Sequence, residues 1–184
     1  MAASPADVIG FWTKAGPGKW WTRSDAFDDA VRLRFEPVHH AAARGEYAVW
    51  EATAEGALAL VLLCDQFPRN LYRDSAHAFA TDPLARSVAR RAVESGWDRV
   101  TSPELRIFFY MPFMHSEDLA DQDLAVALFE AHDAETGDLS DLKYAVEHRE
   151  IIRKFGRFPH RNAMLGRPMS ADERVFLDGG GFAG

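Results

Sequence analysis

Residue pairs that open helices recur along this chain, and most are followed by a glycine that can close one. Ser4-Pro5 places an N-cap before a proline at the first helical position, and Gly16 follows. Ser24-Asp25 with Gly45, Asp82-Pro83 with Gly96, Ser116 with Gly137, and Ser140 with Gly156 repeat the arrangement. Ser102-Pro103 opens a segment that ends near Pro112, and Ser170-Ala171-Asp172-Glu173 has capping-box spacing ahead of Gly179. The apolar/polar alternation that marks strands is scarce between these signals. The reading is an all-α chain of seven to nine helices stacked as antiparallel pairs.

Within that plan, Tyr47 to Gln66 is nearly continuous in apolar residues and is predicted to be the central, most buried helix. Pro37 predicts a kink or break in the helix that Ser24 opens. Asn70 to Thr81 reads as irregular. Apolar residues make up 47% of the chain, with 13 Phe and 5 Trp, enough for a core without a metal or disulfide. Residues 1–178 therefore read as a single helical domain, and 179–184 as a loose Gly-rich tail.

Several function classes are disfavoured by composition. Cys64 is the only cysteine, so no internal disulfide forms, which fits a reducing, cytoplasmic setting. The start MAASPADVIGFW lacks the basic and apolar regions of a signal peptide. Ala57–Cys64, the longest apolar run, is far short of the roughly 20 residues that span a bilayer, so no membrane partner is expected. A net charge of −7 argues against nucleic acid as a partner. The charge is also segregated. Nine acidic residues and no basic ones lie between His115 and Asp141, whereas seven basic and two acidic residues lie between Lys143 and Arg167. Two adjacent helices that pair in the fold would satisfy both runs.

The residues that could carry chemistry gather at helix ends. Phe67-Pro68-Arg69-Asn70 is echoed by Phe158-Pro159-His160-Arg161-Asn162. Structurally, each reads as a helix stop whose Arg and Asn meet terminal carbonyls. Functionally, they read as two arms that grip an anion, because a guanidinium fork suits carboxylate or phosphate. Met114-His115-Ser116-Glu117-Asp118 sets a histidine beside two carboxylates, although an acidic first turn also complements a helix dipole. His148 falls on an apolar helix stripe, and Asp65 ends the most apolar run, where its charge demands a partner such as Arg69, Arg153 or Arg161. His39, His40 and His132 read as surface residues. No zinc motif, phosphate-binding Gly loop or nucleophile elbow is present, and no metal or cofactor is assigned.

These same segments carry a resemblance. Leu63 through Asn70 with Ala78 through Asp82, Phe109 through Asp118, and His148 through Ile152 continuing to Phe158 through Asn162 resemble the bacterial family catalogued as domain of unknown function 924. The likeness runs from Val8 to Leu177. It implies a helical fold similar to the right-handed superhelices of tetratricopeptide repeats, and it brings no activity with it.

Three function classes follow. The leading expectation is a binding module for a small acidic or phosphorylated ligand, with Asp65, Arg69, Asn70, His115, Glu117, His148, His160, Arg161 and Asn162 in one cleft. The second is a hydrolase, with His115 or His160 as general base beside a carboxylate such as Glu117, and with metal assistance as a variant. The third is a scaffold that binds a peptide on a concave helical surface, which rests on analogy of fold.

Overall fold

The computed structural model describes residues 3–137 and 140–182. Eight helices of eight or more residues appear: Pro5–Ala15, Asp25–Ala43, Ala54–Val61, Asp82–Glu94, Pro103–Met114, Leu119–Thr136, Ser140–Phe155 and Ala171–Asp178. Among the described residues there is no strand, so the fold is all-α as the helix signals indicate. Contacts divide the chain into two compact units, Met1–Arg73 with His77–Pro112, and Asp74–Ala76 with Phe113–Gly184.

In the first unit the central element is Ala54–Val61, buried at every position from Gly56 onward. It packs against Pro5–Ala15 and Asp82–Glu94. The helix begins later than the apolar run suggests. Ala48–Ala52 forms a 3-10 turn, Thr53 turns extended, and its hydroxyl caps the Gly56 N–H. Gly56 is required at this junction, since a Cβ there would meet the Trp50 carbonyl oxygen at 2.0 Å. Trp12, Phe35, Phe67 and Phe108 fill the core, and Trp20 stacks on Trp12 with its indole N–H on the Trp12 carbonyl at 2.8 Å.

Two expected proline breaks are corrected. Of the kink or break expected at Pro37, the break does not occur, and the Asp25–Ala43 helix runs through it. Phe67-Pro68 does not stop the central helix. Pro68 has no N–H, and its ring crowds the carbonyl four residues earlier, that of Cys64. The helix widens instead: Leu62–Gln66 forms a π turn in which the Phe67 N–H reaches the Leu62 carbonyl, and Phe67–Leu71 continues as a short helix. Three successive carbonyls then receive side chains. His39 Nδ1 meets Leu63 O at 2.8 Å, Thr81 Oγ1 donates to Cys64 O at 2.6 Å, and Arg69 Nη1 donates to Asp65 O. Ala76–Phe79, within the stretch expected to be irregular, is a 3-10 turn. Cys64 lies at the heart of this turn, and burial, with smaller help from Asp65 and Glu51, pushes its thiol up to about 12.

In the second unit, the acidic Leu119–Thr136 and basic Ser140–Phe155 helices pack along each other, as their opposite charges require. Arg149 and Arg153 each come within 3.7 Å of Asp123. Asp118, not Ser116, caps the acidic helix by accepting from the Ala120 N–H at 2.8 Å, while Ser116 Oγ donates to Asp121 at 2.7 Å. Gln122, fully buried, donates to the carbonyls of Met114 and Ser116. Residues 138 and 139, which flank the expected Ser140 start, and residues 183 and 184 of the expected tail lie outside the described residues. Phe182 of that tail packs on Ile151, Ile152 and Phe158.

Candidate functional site

Asp65, Arg69 and Asn70 belong to the first unit. Asp65 is fully buried, and Arg69 stands one helical turn on, where its guanidinium lies 3.2 Å from the Asp65 carboxylate. The same guanidinium forms two parallel hydrogen bonds with Asp82, the first residue of its helix. Burial works against the Arg69 charge, but Asp65 and Asp82 outweigh it and raise its pKa. Gln66 adds a side-chain N–H to Asp65. Asn70 turns elsewhere: its amide donates to Asp28 at 2.8 Å, and Arg73 binds the same carboxylate. The costly carboxylate at position 65 is thus matched by an internal cation.

The other six residues belong to the second unit. His115, Glu117, His148 and Arg161 all act electrostatically on His160. His148 Nδ1 lies 2.8 Å from the Tyr144 carbonyl one turn back, which makes it a donor, and its ring packs on Phe158 and Phe182. His160 packs on the same two rings. The Arg161 guanidinium sits 4.5 Å from the Phe158 ring centre. Burial first, then Arg161 and His148, push the His160 imidazole down to about 3, so it is neutral at pH 7. Its Nδ1 is buried and has no hydrogen-bond partner among the described residues.

Glu117 does more than complement a helix dipole. It accepts from the Phe158 N–H at 2.8 Å and from both Nη atoms of Arg167 at 2.7 and 2.9 Å. Burial opposes its charge, yet these donors hold its carboxyl below the usual range. Asn162 is fully buried and contributes a hydrogen bond that, after Arg157 and Ser170, helps keep Glu173 well below the usual carboxylate range. The structure therefore brings Asp65 together with Arg69, and His115, Glu117, His148, Arg161 together around His160. Asn70 and Asn162 serve other neighbours.

Sequence reasoning passes over Asp82 and Arg167, the partners of Arg69 and Glu117. Asp82 reads as a cap, and Arg167 lies 50 residues from Glu117 with no local pattern to join them. It also misplaces His39 and His132, which are buried rather than exposed. Two open cavities lie on other residues. One of about 570 Å³ is lined by Lys14, Lys19 and Arg34 with Phe11 and Phe27, and one of about 420 Å³ by Lys154, Arg157, Asp172 and Glu173.

Residues 8–181 match the family described as "Bacterial protein of unknown function (DUF924)". The structure of the protein of unknown function ATU0120 from Agrobacterium tumefaciens is similar, with a TM-score of 0.89 and 48% identity over 95% of this chain and 97% of that one. No curated protein matches the chain. Among the described residues, no helix is long and apolar enough to cross a membrane.

Proposed function

The chain belongs to the bacterial family of unknown function DUF924, and we propose that it is a cytoplasmic binding module for a small anion seated at His160 and Arg161. One observation carries the reading: His160 Nδ1, buried and without a hydrogen-bond partner among the described residues, lies beside a guanidinium. A neutral imidazole there donates one N–H to a carboxylate or phosphate oxygen, and Arg161 supplies the charge. The carboxylate acting on His160, Glu117, is already bound by Arg167. Arg69 leaves the ligand set of this reading, because Asp65 and Asp82 occupy its guanidinium.

The hydrolase alternative fares less well. A general base works best with a pKa near the operating pH, and His160 at about 3 is far from it. Both Glu117 oxygens are engaged by Arg167 and the Phe158 N–H. The peptide scaffold rests on fold analogy alone.

The test is a titration with inorganic phosphate and small organic acids, read by the NMR signals of the histidines and by thermal melting. Binding raises the His160 pKa and the melting temperature. Arg161→Met weakens binding at least about tenfold, the loss expected for one charged hydrogen bond. Binding that survives Arg161→Met but is lost in Lys19→Met would transfer the site to the Lys14, Lys19, Arg34 cavity. An absence of binding by any of these anions rejects the reading.

A further inference from the structure

The Leu119–Thr136 helix ends in a left-handed Gly137, and the chain returns as Ser140–Phe155. At this junction His132, Asp133 and Asp141 each offer a donor atom, all within 4.8 Å of one another. His132 and Asp133 are buried, 6% and 1% exposed, and Asp141 is half-buried. The sequence alone does not suggest this, since His132 reads there as a surface residue.

Asp133 has a structural duty that explains only one of its oxygens. Oδ2 accepts from the Leu142 N–H at 3.0 Å, in the first turn of the returning helix. Oδ1 is buried and has no hydrogen-bond partner among the described residues. A buried carboxylate oxygen left in that state is costly, and either an ordered water or a cation relieves it. A cation suits the surroundings better. Two carboxylates gather beside one imidazole there, and His132 and Asp133 lie near the negative end of the helix dipole.

We propose that His132, Asp133 and Asp141 form a binding site for a divalent transition-metal ion. One imidazole and two carboxylates are a mixed nitrogen and oxygen set, which suits Zn²⁺ or Mn²⁺ rather than Mg²⁺ or Ca²⁺ with their all-oxygen shells. Donors bound at about 2.1 Å in a tetrahedral shell stand about 3.4 Å apart, so donors that lie within 4.8 Å of one another draw closer around the ion. Three protein donors leave a coordination position for water or an oxygen-bearing ligand. The site shares no residue with the anion site at His160.

Isothermal titration of the tag-free full chain, stripped with chelator, tests the proposal with Zn²⁺ and with Mn²⁺ alone. The expected result is one ion per chain and a rise in melting temperature. His132→Gln, Asp133→Asn and Asp141→Asn should each weaken binding at least about tenfold, since even indirect supporters of a metal ligand cost that much. Asparagine at 133 keeps an acceptor for the Leu142 N–H, so the helix junction is preserved. Should a buried variant fail to fold, Asp141→Asn at its half-buried position carries the test. His160→Gln should leave metal binding unchanged. The absence of one-to-one binding by either ion overturns the proposal, and so does binding unaffected by Asp141→Asn.

Discussion

Arg69 and Asp82 meet in parallel, Nη1 to Oδ1 at 2.9 Å and Nη2 to Oδ2 at 3.1 Å. This fork also lies against the fully buried Asp65, so one cation serves two carboxylates. Arg69→Met removes a charge that both carboxylates share and should cost about 3–5 kcal/mol, the usual penalty for breaking a buried pair. Urea unfolding measures it. A variant as stable as the native chain would return Arg69 to the pool of ligand candidates.

Thr81 carries a second structural load. Its hydroxyl takes the Cys64 carbonyl that Pro68 cannot serve. Thr81→Val should lower stability by about 1–3 kcal/mol through a buried acceptor left unmet, while Thr81→Ser keeps most of it. Equal losses in the two variants would mean that the methyl group, not the hydroxyl, matters.

Gly56→Ala should be destabilising out of proportion to one methyl group. The added Cβ falls on the Trp50 backbone, which cannot move as a side-chain tip does. Overpacking of this kind costs about 1–3 kcal/mol. A melt within a degree of the native value would show that the Ala48–Ala52 turn shifts freely.

Acid should weaken the fold through His160. Its folded pKa of about 3 lies below the ordinary imidazole value of 6.5, so the unfolded chain binds more protons between those values. The neutral-state contribution is complete above about pH 6.5 and drains away as pH falls toward 3. The melting temperature of the native chain should fall through this window more steeply than that of His160→Gln. Parallel curves for the two proteins would dismiss His160 as the source.

The helices were legible because their punctuation is local. Ser4, Ser24 and Ser170 cap where the sequence places caps, each bonding a backbone N–H within three residues. The pairing of acidic and basic helices was legible too, since a charge run needs an opposite one nearby. Errors cluster where a distant group decides. Phe67-Pro68 looks like a stop until His39 and Thr81 are seen to take the carbonyls it strands. Glu117 looks like a dipole partner until Arg167 arrives from 50 residues away. The candidate residues were found as types, but their partners Asp82 and Arg167 were not, because no periodicity links a side chain to a loop elsewhere in the chain.

Cys64 gives the molecule a built-in clock. The only thiol of the chain lies fully buried in the widened turn and is pushed up to about 12, so it is neither reachable nor ionised at neutral pH. An alkylating reagent can react only when the central helix of the first unit opens. The rate of labelling under native conditions therefore counts those openings, and separates local breathing of the turn from global unfolding without any introduced probe.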